Sequence, residues 1–138
     1  MTSEPVVTDA VLALDRRSAV ASLFEALSEQ RMDDARALMA ADAVWWVLAK
    51  RQDVPIDPWL DGYRILIGKL FPNGLTFDLG GWTIDGPRVA VQARSLGARL
   101  DGRVYNNDYH FLVEFAGTKI AKVWEYGDTL HAERVLRG

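Results

Sequence analysis

The stretch that most constrains the fold is the last forty residues, and above all the run Val104–Phe115 followed by Lys119–Thr129 across Ala116-Gly117-Thr118. Both arms are β-branched and aromatic and meet at a glycine-containing turn, so they read as one long antiparallel hairpin. A three-residue loop, Phe115-Ala116-Gly117, with Gly117 in the left-handed position, pairs Glu114 with Thr118. Continued without interruption, that register sets Asn107 opposite Glu125 and Tyr109 opposite Val123. A two-residue loop, Ala116-Gly117, brings Asp108 and His110 to the side of Glu125 instead, because a one-residue slip moves every side chain to the other face. The first register is preferred: it leaves Tyr109, Phe111 and Val113 on one inner face and sends His110 to the outer one.

Upstream of the hairpin, Leu75–Leu79, Trp82–Ile84 and Arg88–Leu96 alternate in the same way and are separated by Gly80-Gly81 and Asp85-Gly86-Pro87. Gly80-Gly81 inside a strand-like run predicts a bulge or sharp bend, hence a curved sheet. Before Leu75 the spacing is helical. Val11, Leu12, Leu14, Val20, Leu23, Phe24 and Leu27 recur at three- and four-residue steps, and Arg31–Met39 makes a shorter helix with acidic residues in its first turn. Ala43–Leu48 reads as a first strand and 49–56 as a loop on a cavity rim. Asp57-Pro58 reads as N-cap and first helical residue of a third helix that stops at Pro72-Asn73-Gly74. Helices first and antiparallel strands afterwards is the α+β pattern, with helices covering one face of the sheet. Leu130–Leu136 closes the chain as a helical segment.

At 138 residues the sequence predicts one domain over 9–138 behind a flexible tail, 1–8. A net charge of −3, with 16 basic residues spread along the chain, excludes the basic stripe that nucleic-acid binding needs. No cysteine is present and there are only two histidines, His110 and His131, so disulfides, thiolate sites and a metal centre are not expected. Neither a basic start followed by an apolar stretch nor a membrane-length apolar run is visible, and a cytoplasmic protein is expected.

The order of elements, together with Ala40–Trp45, Tyr105–Phe111, Lys119-Ile120 and Glu125–Thr129, resembles the NTF2-like superfamily, and within it the SnoaL-like and ketosteroid-isomerase-like group. The resemblance implies a cone: three N-terminal helices packed on a curved, mostly antiparallel sheet around a pocket, with a homodimer formed through the outer sheet face. Members of the group include isomerases, epoxide hydrolases, polyketide cyclases and plain binding proteins, and fold likeness does not choose among them. The isomerases' general base falls at Val47 here and their helix tyrosine near Phe24, so neither group can act. The hydrolases' arginine matches Arg94, but their aspartate two residues on is Leu96.

Glu125 is the candidate acid or base, since the resembling hydrolases carry a carboxylate at this point of the last strand and an apolar cone raises a carboxyl pKa toward useful values. Asp128 is a weaker catalytic candidate, better suited to cap the terminal helix. Candidate ligand-binding residues are Trp45, Val47, Trp59, Tyr63 and Phe71 as an apolar wall, Asn107 and Tyr109 as polar contacts, and Arg94 if it points inward. The expected function is binding of a small hydrophobic molecule, with cofactor-independent isomerase, cyclase or hydratase chemistry. The alternative is a non-catalytic ligand-binding or dimerisation module on the same cone.

Overall fold

A computed structural model describes residues 8–137, so the predicted tail lies outside the described residues except for Thr8. Thr8 ends it by capping helix α1 (Asp9–Ser28), its side chain accepting from the Val11 N–H at 3.2 Å. The second half of α1 buries Val20, Leu23, Phe24 and Leu27, whereas Val11 and Leu14 in the first half stay exposed. The apolar stripe read from the sequence therefore meets the sheet over its second half. After helix α2 (Met32–Ala37) the chain turns into strand β1 (Met39–Val47), which starts four residues earlier than the sequence reading placed it. The Arg36 guanidinium holds this corner, bonding Asp57 at 2.6 Å and the carbonyls of Ala40 and Ala41.

The predicted rim loop contains a strand, β2 (Gln52–Pro55), antiparallel to β1. It lies at the end of the sheet, and an edge strand tolerates Pro55 because one side of its backbone needs no ladder partner. Helix α3 (Ile56–Leu70) follows at once, with Pro55 rather than Asp57 at its N-cap and Asp57 in its first turn. The buried Ile56 pulls the helix start forward by anchoring its first residue in the core.

The remaining strands are β3 (Thr76–Asp85), β4 (Arg88–Ala98), β5 (Val104–Tyr105), β6 (Asp108–Ala116) and β7 (Lys119–Gly127), and helix α4 (Thr129–Leu136) ends the fold. The sheet order is β2-β1-β7-β6-β4-β3, with β5 on β4. Every pairing is antiparallel except β1 with β7. Gly80-Gly81 does not break β3; the register shifts there, between Gly80 and Thr83, as the glycine pair predicted. The architecture is the expected α+β one with a curved sheet, and α4 adds a fourth helix to the three that precede β3.

Neither hairpin register foreseen from the sequence is the one formed. Ala116 pairs with Lys119, so the loop is the two residues Gly117 and Thr118, with Gly117 at φ 63°. That loop alone would place His110 opposite Glu125. The register then shifts between Glu114 and Phe115, where Ala121 is the extra residue on β7, and beyond it Phe111 faces Glu125 and Tyr109 faces Gly127. The bulge restores the parity of the preferred reading. Tyr109, Phe111 and Val113 are buried on the inner face and His110 is exposed on the outer one. Asn107 lies beyond the β6 pairing and is not opposite Glu125.

Gly97 holds the far end of the cone closed. A Cβ built there would lie 2.9 Å from the Gly74 carbonyl oxygen and from Leu75 Cδ1, and 3.1 Å from Phe71 Cδ1. Gly97→Ala should lower stability by about 1–3 kcal/mol, the usual cost of overpacking a dense contact. Urea denaturation checks this, and an unchanged midpoint would mean that the α3–β3 connection yields freely.

Candidate functional site

Alternation along four strands aims one set of side chains into the concave side of the sheet. On β7 the inward positions are Ile120, Val123, Glu125 and Gly127, so Glu125 is the only charge among them. Its neighbours across the sheet are Phe111 on β6 and Val47 on β1. With α1 and α3 lying over this side, the strands enclose a cavity of about 470 Å³, whose walls include Trp45, Val47, Trp59, Tyr63, Tyr109 and Glu125. That size suits a small organic molecule.

The indole of Trp45 donates from Nε1 to Glu125 Oε1 at 3.0 Å. This bond favours the carboxylate, but desolvation outweighs it and pushes the Glu125 pKa up to about 7. Glu125 retains some accessible surface and lies in the cavity wall. A carboxyl group balanced near neutrality can both accept and return a proton.

Trp45 also begins a ladder of rings. Trp59 stacks on it with centroids 3.6 Å apart, and Tyr63 stacks on Trp59 at 5.3 Å. Residues 59 and 63 are one helical turn apart on α3, which brings both rings to the same side. Tyr105 and Tyr109 join the cavity wall from the sheet, their hydroxyls 2.8 Å apart. Burial raises both phenol pKa values, so both remain neutral donors. Gly127 makes room for Tyr109, since a Cβ at that position would lie 3.0 Å from the Tyr109 ring.

Four of the residues singled out in the sequence lie away from this cavity. Arg94 is on the outer face of β4, 66% exposed, and bonds Asp108 at 2.8 Å, so the inward orientation considered for it is not the one adopted. Asn107 is buried behind the wall: its amide donates to the Tyr105 hydroxyl and the Asp128 carbonyl, and its backbone N–H donates to Ser95 Oγ. It holds Tyr105 rather than facing the cavity. Asp128 caps α4, accepting from the N–H groups of Leu130 and His131. Phe71 packs on Tyr105 at 6.0 Å outside the cavity lining.

Tyr105 and Phe77 were not foreseen in the wall. Tyr105 has the same parity as Tyr109 and Phe111, and that signal was present. It was obscured because the chain leaves regular pairing at Asn106 and Asn107, which splits the predicted arm into β5 and β6.

These features define a class before any relative is considered: an α+β cone with a lined pocket and one inward carboxylate on its last strand. The chain belongs to the SnoaL-like domain family, whose sequence model matches residues 20–123. None of the curated proteins matches it. Among solved structures, a candidate SnoaL-like polyketide cyclase from Jannaschia sp. CCS1 superposes with a TM-score of 0.77 at 19% identity, covering 96% of this chain and 97% of that one. IdmH, a candidate polyketide cyclase from Streptomyces antibioticus, gives 0.75 at 19% identity over 88% and 97%. TerC, co-crystallised with polyporic acid, gives 0.75 at 14% identity over 90% and 99%. At these identities the likeness establishes the NTF2-like fold. No helix among the described residues is long and apolar enough to cross a membrane.

Proposed function

We propose that this protein binds a small hydrophobic molecule in its cone and catalyses cofactor-independent proton transfer on it, as in isomerisation, cyclisation or hydration. The observation that carries the reading is Glu125, a carboxyl group with a pKa near 7 opening onto an otherwise largely apolar cavity. In this reading Glu125 takes a proton from the ligand and returns it at another atom. Trp45, Val47, Trp59 and Tyr63 form the wall against which the ligand lies, and the Tyr105–Tyr109 hydroxyl pair orients its polar group. Arg94, Asn107, Asp128 and Phe71 act on the fold rather than on the ligand. The polyketide-cyclase names carried by structural neighbours, and the polyporic acid co-crystallised with TerC, support a small organic ligand. The outer sheet face, where Trp46 packs against Tyr126 at 5.2 Å, is the proposed homodimer surface.

A test needs no knowledge of the natural ligand. 2-Tetralone has acidic α-protons and an apolar body, and their exchange in D₂O, followed by NMR, reads proton transfer directly. The protein should accelerate that exchange. Glu125→Gln should slow the accelerated exchange about 10²- to 10⁴-fold, the usual loss on removing a general acid or base, while tetralone affinity changes little. Binding without any accelerated exchange in the unaltered protein would favour the non-catalytic binding module.

A further inference from the structure

Two buried side-chain polar atoms among the described residues have no hydrogen-bond partner, Arg16 Nε and the Tyr63 hydroxyl, and only Tyr63 lines the cavity. An unpaired buried hydroxyl costs about 1–3 kcal/mol. Phenylalanine would keep the same stack on Trp59 without that cost, so the stack does not explain the oxygen. Desolvation first, and the Glu125 charge second, raise the Tyr63 pKa, and the group stays a neutral O–H donor at physiological pH. The Tyr109 hydroxyl donates within the wall, to Tyr105 or Ser95, and the Tyr105 oxygen accepts from Tyr109 and Asn107 while keeping its own proton, so both have partners in the protein and Tyr63 has none. Tyr63 is thus a buried donor without a partner, on a side chain that lines the cavity.

Charge narrows what it can meet. Glu125 and Tyr63 lie close enough for the carboxylate charge to act on the phenol, and Lys50, an exposed residue between β1 and β2, is the one cation in the lining. An anionic ligand group at Tyr63 would be repelled by the Glu125 carboxylate, whereas a neutral oxygen suffers no such repulsion.

We infer that Tyr63 determines specificity: the cavity selects hydrophobic ligands that carry a neutral hydrogen-bond acceptor, such as a ketone oxygen, which accepts from the Tyr63 hydroxyl. This rests on the reading of the cone as a hydrophobic binding site and adds the polar feature its ligand must have.

Fluorene and 9-fluorenone have the same ring system and differ by one carbonyl oxygen, so equilibrium dialysis of the two against the full chain isolates that contact. The unaltered protein should bind fluorenone about 5- to 10-fold more tightly, as one net hydrogen bond allows. Tyr63→Phe should bring the ratio below about 2. Its thermal midpoint should not fall, because no bond within the protein is lost. Equal affinities in the unaltered protein, or a preference that survives Tyr63→Phe, would overturn the inference while leaving the hydrophobic-site reading intact. A lowered midpoint in Tyr63→Phe would also overturn it, by showing that the hydroxyl serves the fold. If neither compound binds the unaltered protein, both the inference and the reading beneath it fail.

Discussion

Glu125→Gln should make the protein about 3 kcal/mol more stable at pH 8, and should leave its stability almost unchanged near pH 4. In the native state the carboxyl pKa is pushed up to about 7, against 4.5 for the ordinary group. The folded chain therefore holds this proton more tightly than the unfolded chain does. Its contribution to stability is complete below about pH 4.5 and is lost as pH rises through about 7. At about 1.4 kcal/mol for each tenfold difference in proton affinity, the gap amounts to about 3 kcal/mol. Glutamine cannot ionise and so escapes the loss. Urea denaturation of both proteins from pH 4 to pH 8 gives the two profiles, and parallel profiles would mean that the cavity does not raise the Glu125 pKa. The same desolvation that suits the carboxyl to proton transfer makes it a liability to the fold at alkaline pH, which is the usual relation between activity and stability at a site.

The second large effect is expected at Trp45. This side chain is 1% exposed, stacks on Trp59, meets Phe24 and Phe111 edge-on at 6.4 and 6.2 Å, and donates to Glu125. Trp45→Ala should destabilise by about 3–5 kcal/mol, combining lost burial with the cavity left behind. The more informative variant is Trp45→Phe, which retains an aromatic ring but removes the N–H. Because that N–H favours the carboxylate, its loss should move the Glu125 pKa further up, measured as the carboxyl titration by NMR. An unmoved titration would show that the indole bond does not tune the acid. Stability loss in the first variant and a titration shift in the second separate packing from electrostatics at one position.

Much of this site was legible because side-chain direction in a strand has period two and depends on nothing distant. Parity alone grouped Tyr109, Phe111 and Val113 on one face and His110 on the other, while the bulge at Ala121 is what brings Glu125 to the first of these faces. Helical spacing likewise placed Trp59 and Tyr63 on a common side of α3. Arg94 was a candidate only if it pointed inward; Val89, Val91 and Ala93 mark the opposite face as the apolar one, and the structure pairs Arg94 with Asp108 at the surface.

What alternation could not supply was the identity of cross-strand partners. Register in a hairpin follows from its loop and from any inserted residue, and the sequence near Gly117 was compatible with several loops. The bulge at Ala121 belongs to a strand that must also run parallel to β1, with Val47 beside Glu125 and Trp45 beside Val123. A pairing of that kind joins residues about eighty positions apart and leaves no local trace. The sequence by itself determined the α+β class and which residues within each strand share a face, because those follow from local periodicity. The tertiary structure decided that Trp45 is the partner of Glu125, that Asn107 and Asp128 serve the fold, and that the Tyr63 hydroxyl has no partner of its own, because each depends on which distant segments close over the sheet.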